Sequence, residues 1–381
     1  MQQAFKYRLY PSKPQRRRLD ATLETARRWY NDCLAQRRAA YELVGWTVSH
    51  TYQLRRVKDH KASNPFAAGV HSHVLQLVCT DLERAFAAFF RRVKAGQTPG
   101  YPRFRGRGRF ASFGFKEYGN GFRLDGRRLK VHGVGRIAVR WHRVLPSQPK
   151  TLRLVRQADD WYAVFVCETH PGPLPITGSE IGIDVGVTSL IATSDGEHVQ
   201  HPGWYRQSER RLRVAQRRVA RRKKGSANRR QAVITLQRVH RDVANQRQDF
   251  LNKLALKLVR EHDVLVLEDL RVRNMVRNHH LAKSILDRGW YYLLKRLSCK
   301  AEEAGRQVIL VDPRHTSQRC SRCGVLHALR LKDRWLECAC GLSLNRDENA
   351  ARNILAASRP GQGRWARSSP PGGLAQEAAG L

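Results

Sequence analysis

Three carboxylates and four thiols in this chain have the types and surroundings to do chemistry. In "IGIDVGVTS" (181–189) the period-two alternation of a strand puts Ile181, Ile183, Val185 and Val187 on one face and Gly182, Asp184 and Gly186 on the other. An acid flanked by two glycines on a stripped strand face leaves room for a phosphate and a metal ion to approach. The plainer alternative is an exposed acid on an edge strand. "DVLVLEDL" (263–270) is a nearly unbroken apolar run, as in a strand covered on both faces, and Glu268 stands at its carboxyl end, where ligands of open α/β sheets bind. Asp269 beside it either shares that role or starts the loop. In "NRDENAARNIL" (345–355) Asn345 can cap a helix and Glu348 can complete a capping-box-like pair. Asp347 then shares a helical face with Ala350, Ala351 and Ile354, the face a helix buries. A first-turn acid that merely complements the helix dipole would explain Glu348 but not an acid aligned with the apolar stripe.

Carboxylates on a first strand, at the end of a buried strand and on a closing helix can bind two divalent ions, about 4 Å apart, that activate a water and stabilise the leaving oxygen of a phosphodiester. Mg²⁺ suits such hard oxygen ligands. The spacings of 84 and 79 residues do not by themselves make Asp184, Glu268 and Asp347 converge.

The thiols divide into two groups. Cys33, Cys79, Cys167 and Cys299 are scattered through apolar-periodic segments and read as small core residues, whereas Cys320, Cys323, Cys338 and Cys340 cluster in "CSRCG" and "CACG" on either side of a 14-residue, hairpin-length segment. Two knuckles closed by a hairpin supply four tetrahedral soft ligands for Zn²⁺. The alternative is two free or redox-active pairs. Four protein ligands close the site, so the zinc is structural and not the catalyst.

Stepping outward to the elements that must carry these groups, "FKYRLY" alternates as a strand. Ser12 and Gln15 form a capping box opening a helix with Leu19, Leu23, Ala26, Trp29 and Cys33 on its apolar face. Further helices are expected near 48–60 and 66–94, ended by Gly96 and "TPGYPRFRGRGRF". From about 110 to 169 short alternating strands predict a small β domain, with a hairpin turn at "ADD" (158–160), completed by the N-terminal strand. After the Pro-rich "HPGPLPITG" come two paired strands, basic helices from about 205 to 260, two apolar strands and a closing helix, which predict a mixed α/β sheet. Residues 358–381, rich in Pro, Gly and Ser, read as a disordered tail.

Composition names the partner. Across 381 residues there are 71 Lys plus Arg against 32 Asp plus Glu, a formal charge of +39, and the cations are mostly arginine. Such an excess calls for a polyanion, and guanidinium forks favour nucleic acid over an anionic membrane surface. No apolar run approaches the roughly 20 residues of a membrane span, and the N-terminus lacks the apolar core of a signal peptide. A cytoplasmic protein, nucleoid-associated if prokaryotic, is expected. Aromatic residues beside arginines, in "RRWYND" and "PGYPRFRGRGRF", either stack on bases or belong to the core.

The motifs "IGIDVGVTSLIA", "LEDL", "RQDFLNKLALKLV", "GWYYLLKRLSCKAEEAG", "TSQRCSRCG" and "NRDENAARNIL" occur in one order over about 180 residues that resembles the TnpB family, the transposon-encoded, RNA-guided DNA nucleases related to type V CRISPR effectors. "RLYPSKPQRRRL" and "LERAFAAFFRR" fit it more loosely. The resemblance implies a RuvC-like, RNase H-type nuclease domain over 177–315 and 343–357, with Asp184, Glu268 and Asp347 as its magnesium-binding catalytic triad. It further implies a zinc ribbon over 316–342, a wedge-like β-barrel from 1–12 and 96–176, and a helical recognition domain over 13–95. The partners implied are a transposon-derived guide RNA and double-stranded target DNA, cut beside a short recognised motif. The second knuckle, with one intervening residue, and Asn345, where the family often has Asp, depart from the pattern without touching the triad. The rival readings are a RuvC-type nuclease or transposase-like enzyme acting without a guide, and a nuclease-inactive zinc-ribbon regulator, against which the retention of all three acids argues.

Overall fold

The computed structural model describes residues 1–330 and 333–359. Most of the stretch expected to be a disordered tail therefore lies outside the described residues. The chain divides after His170 into two compact units.

In the first unit β1 (Gln2–Tyr10) leads into four helices, α1 (Lys13–Val44), α2 (His50–Ser63), α3 (Pro65–Ala68) and α4 (Ser72–Lys94). The α1 cap is the expected one: Ser12 accepts from the Gln15 amide while the Gln15 side chain returns to the Ser12 amide. The chain then forms β2 (Ser112–Phe115), β3 (Glu117–Tyr118), β4 (Gly121–Asp125), β5 (Arg128–Val131), β6 (Gly135–Arg140), β7 (Pro149–Gln157) and β8 (Asp160–Glu168). These strands and β1 make one sheet in the order β2-β7-β8-β1-β6-β5-β4-β3. Its two edge strands, β2 and β3, are separated by Lys116 alone, so the sheet must curl back on itself. The helices pack on it through a continuous core in which Leu19, Leu75 and Leu82 join Phe113, Leu154 and Trp161.

The second unit is built on a five-stranded sheet in the order β11-β10-β9-β12-β13, from β9 (Glu180–Asp184), β10 (Ser189–Thr193), β11 (His198–Gln200), β12 (Val264–Glu268) and β13 (Gln307–Val311). β10 is antiparallel to β9, whereas β9, β12 and β13 are mutually parallel, the mixed sheet expected. Between β11 and β12 run the basic helices α5 (Trp204–Ala220) and α6 (Ala227–Glu261). Between β12 and β13 lie α7 (Val272–Met275), α8 (His279–Arg288) and α9 (Trp290–Ala304). The hairpin of β14 (Trp335–Glu337) and β15 (Ser343–Asn345) precedes the last helix, α10 (Arg346–Ala357).

The alternation in β9 and β12 decides which helices cover which face. Ile181, Ile183, Leu265 and Leu267 point to Leu251, Leu258, Leu293 and Leu297 of α6 and α9. On the other face Val266 and Val311 meet Ile354 of α10. Here the expected role of one glycine is corrected. Gly182 does not clear space for a ligand; it admits the α10 backbone, since a Cβ on it would lie 2.1 Å from the Ala351 carbonyl oxygen and 2.8 Å from the Leu355 amide nitrogen. No side chain fits there.

Replacing Gly182 by alanine should therefore push α10 off the sheet and destabilise the second unit by about 3 kcal/mol or more, at the upper end of overpacking costs. Urea unfolding followed by the near-ultraviolet signal measures this, and an unchanged midpoint would show that the helix does not rest on that strand.

Candidate active site

The face of the sheet beneath α10 carries the acids. Val266 is the register partner of Gly182, and two residues further along their parallel strands, on that same face, stand Glu268 and Asp184. Asp347 enters from above, in the first turn of α10, whose N-cap is the Asn345 side chain accepting from the Asp347 amide at 2.9 Å. A Cβ on Gly186 would lie 3.7 Å from the Asp347 carboxylate, so the turn after β9 passes directly beside this acid. Ala350, Ala351 and Ile354 are buried, as the stripe containing Asp347 predicts. Glu348 departs from expectation: it completes no capping box but pairs with Arg352 one turn on, at 2.7 Å. Asp269 is exposed, and its amide bonds to the Val311 carbonyl at the start of the loop.

The electrostatics are those of three acids forced together. Burial pushes the Asp184 carboxyl well above the usual range, and the charges of Glu268 and Asp347 push it the same way, against Arg346 and the Val185 amide. Burial also raises Glu268; the Thr316 hydroxyl, donating to its Oε1 at 2.6 Å, works in the opposite sense, while Asp312 adds to the rise. The two adjacent strand-end acids are therefore short of positive charge.

The four clustered cysteines form a second centre. The sulfurs of Cys320 and Cys340 are 3.7 Å apart and those of Cys323 and Cys338 3.4 Å, and all four lie within 4.8 Å of one another. A tetrahedron of Zn–S bonds of about 2.3 Å has edges near 3.8 Å, so the set fits zinc despite the short second knuckle. Burial works to raise the Cys320 thiol, but the amides of Cys323 and Arg322 and the neighbouring thiols outweigh it and bring it down to about 7, which favours the thiolate a metal needs. Among the described residues these sulfurs are the only group of three or more such ligand atoms already close enough to hold an ion. The three acids approach one another without closing to that degree.

The two centres are tied by side chains that sequence reasoning did not single out. Asn349, fully buried on α10, accepts from the Ser321 amide at 2.9 Å and donates to the Arg319 carbonyl at 2.7 Å. One turn on, Asn353 donates to the carbonyls of Thr316 and Arg319. The first knuckle is thus clamped to the Asp347 helix, and the Thr316 that precedes it holds Glu268. Arg346 ties the hairpin side, donating to the Arg330 carbonyl at 2.7 Å and to Ser317 Oγ at 3.0 Å. A signal was available: two asparagines three and seven residues after Arg346, the first residue of α10, are unusual inside a helix unless their amides have backbone to bond.

The chain is also similar to known proteins. Residues 164–279 match the OrfB_IS605 family model, described as a probable transposase, residues 290–354 match the Cas12f1-like TNB domain, and residues 1–45 match the helix-turn-helix domain of the same OrfB group. That last stretch here is one strand and one long helix. A protein of Streptomyces pristinaespiralis, provisionally named RNA-guided DNA endonuclease, is 36% identical over 365 residues, 94% of this chain and 89% of its own. InsQ of Escherichia coli K12, under the same provisional name, is 30% identical over 93% of this chain and 92% of its own. The CRISPR-associated endodeoxyribonuclease Cas12f1 of Sulfoacidibacillus thermotolerans is 27% identical over 211 residues, 51% of this chain and 49% of its own.

Two outcomes follow from the geometry. A raised carboxyl pKa contributes stability that is fully present below the ordinary carboxylate range and is lost as pH rises toward the folded value, so at neutral pH the metal-free native state is less stable for carrying an acid at 184. Asp184→Asn should raise the Tm of the EDTA-treated protein at about pH 7.5, well above the unperturbed carboxylate pKa of about 3.9, and the gain should shrink on acidification toward that value; a Tm below wild type across that range would contradict the assignment. Thr316→Val should raise the Glu268 pKa further, moving the acid limb of any metal-dependent activity to higher pH and lowering the rate roughly tenfold to a hundredfold, as loss of a ligand's supporting hydrogen bond does.

Proposed function

This chain belongs to the TnpB family, and from that premise we propose that it is a metal-dependent, RNA-guided DNA endonuclease whose hydrolytic centre is Asp184, Glu268 and Asp347. The observation that carries the reading is the meeting of three carboxylates from two parallel strand ends and a helix start, with burial raising two of them and little positive charge nearby. An aspartate held at such a cost is explained by a cation that binds there.

Hard oxygen donors in a crowded, partly buried set fit Mg²⁺. Asp184, Glu268 and Asp347 would hold it; when bound, paired divalent ions supply activation of a water and stabilisation of the leaving oxygen. The protein's own part is to position. β9 and β12 present two carboxylates at one end of the sheet, α10 lowers the third onto them, and Thr316 orients Glu268. The sheet order, with β10 antiparallel to a parallel β9-β12-β13 set and α10 across one face, supports a RuvC-like, RNase H-type domain over 177–315 and 343–357 with the zinc ribbon of 316–342 inserted. The curled sheet of 1–12 and 96–176 would serve as the wedge, and the helices of 13–95 as the recognition region.

The partners in this reading are a transposon-derived guide RNA and a double-stranded DNA target lying beside a short motif. Base pairing supplies the sequence specificity and the arginine-rich surface grips the backbones. The exposed run Arg217 to Lys224 at the end of α5 is such a surface. Among the described residues no helix is long and apolar enough to cross a membrane, which suits work on the chromosome in the cytoplasm.

The protein expressed with its flanking transcript should retain one RNA species, and with Mg²⁺ should cut a plasmid matching the guide segment. Asp184→Ala should lower that cleavage by at least about a thousandfold, within the range for removing a residue of a catalytic unit. Sequencing of the retained RNA and gel analysis of the plasmid decide it: undiminished cutting by the variant removes the triad, and no specific RNA removes guidance. Metal analysis of the same preparation should find about one zinc per chain.

A further inference from the structure

From Arg84 to Lys116 the chain carries nine Lys or Arg, eight aromatic residues and no Asp or Glu. The structure sorts these aromatics. Phe113 and Phe115 are core, as are Trp29 and Tyr30 of the other aromatic-basic motif. Phe90, Tyr101 and Phe104 are 60%, 44% and 49% exposed, with Val93 beside them at 49%.

Two of these exposed rings, Phe90 and Tyr101, are backed by other rings. Tyr101 stands edge-on against Phe86 (5.5 Å between centroids) and Phe89 (5.4 Å), and Phe90 packs on the same two rings. Pro102 beside it is buried. The loop is pinned at Arg105, whose carbonyl accepts from Arg27 and Asn31 and whose amide donates to Asn31 at 2.7 Å. Arg92 reaches alongside Gly100, 3.5 Å from where a Cβ would be, and the exposed Arg91, Arg103 and Arg107 lie next to or near the rings in the chain.

With the RNA partner taken from the function proposed above, we infer that the end of α4 and the loop of residues 96–110 form a stacking platform for unpaired nucleotides of that RNA. Rigidly backed aromatic faces among arginines match the two parts of an unpaired strand, its bases and its phosphates. A duplex does not offer its base faces, so paired DNA or RNA cannot use the rings. An anionic membrane would have no need of edge-backed rings with fixed orientation. Three exposed aromatics on a chain of charge +39 also call for a partner that stays, because they would otherwise invite aggregation. A bound RNA stays, whereas target DNA comes and goes.

The full chain, stripped of nucleic acid in high salt, is titrated with a short fluorescein-labelled single-stranded RNA of mixed sequence. Combining Phe90→Leu, Tyr101→Leu and Phe104→Leu keeps apolar bulk but removes the rings. It should weaken binding by about tenfold or more and leave the salt dependence unchanged, since no phosphate contact is lost. Arg91→Gln with Arg103→Gln should instead flatten the salt dependence. Labelled duplex RNA should not distinguish the leucine variant from wild type, and 4-thiouridine in the single strand should cross-link within residues 90–104. Wild-type binding with the leucine variant within roughly twofold of it, cross-links elsewhere, or an equal loss on the duplex would overturn the platform while leaving RNA binding in place. A changed sedimentation mass with unchanged RNA affinity would make the surface a protein interface. A wild-type chain that binds no RNA would overturn the proposed function itself.

Discussion

The contact between Gly182 and the backbone of α10 sets the register of everything chemical in the second unit. Ala351 lies over Gly182 with no room for a methyl group between them. Asp184 is two residues further along the strand, roughly 6.7 Å at strand rise. Asp347 is four residues back along the helix, about 6 Å at helical rise. Because the helix start and the strand end both lie toward the same edge of the sheet, equal advances from one fixed point bring the two carboxylates side by side. A larger residue at 182 would raise the helix and break that equality. The glycine is thus a positioning device for an acid it never touches.

Holding the acids together works against folding, and the structure shows what opposes the repulsion. Ile354 packs with Val266 and Val311 beneath α10, and the asparagines at 349 and 353 anchor the helix to the first cysteine knuckle. That knuckle begins just after Thr316, which holds Glu268. Two of the three acids therefore depend on backbone whose shape is fixed by four thiols. A closed thiolate tetrahedron performs no hydrolysis, yet binding energy released at it is folding energy for the adjoining loop. The four-thiol centre and the acid centre are distinct in chemistry and joined in mechanics.

Much of this was legible in the sequence, for reasons that differ by residue. The faces of β9 and β12 follow from alternation, which is local, and the buried face of α10 follows from its alanine and isoleucine spacing. The capping box at Ser12 needs only the four consecutive residues Ser12 to Gln15. What was not legible depends on contacts distant in sequence. The bareness of Gly182 reads equally well as space for a ligand or for a helix, and only the position of residue 351 decides between them. Glu348 had a plausible local partner at the cap, but Arg352 competes with a full charge at i+4 spacing. Asn349 and Asn353 bond to backbone some 30 residues earlier, a pairing that periodicity does not contain.

A last question is why a chain with 39 excess positive charges leaves its buried acids starved of positive charge. The range of each effect answers it. Charges at the surface are screened over about 8 Å at physiological ionic strength, so exposed arginines such as those of α5 contribute little to a buried carboxylate beyond that distance. Desolvation of Asp184 and the repulsion it feels from Glu268 and Asp347 act inside the protein, in a medium that screens little. Arg346 opposes them at Asp184, and its guanidinium is already committed to the Arg330 carbonyl and to Ser317. The same chain can therefore carry a strongly basic surface and still leave its buried strand-end acids short of positive charge.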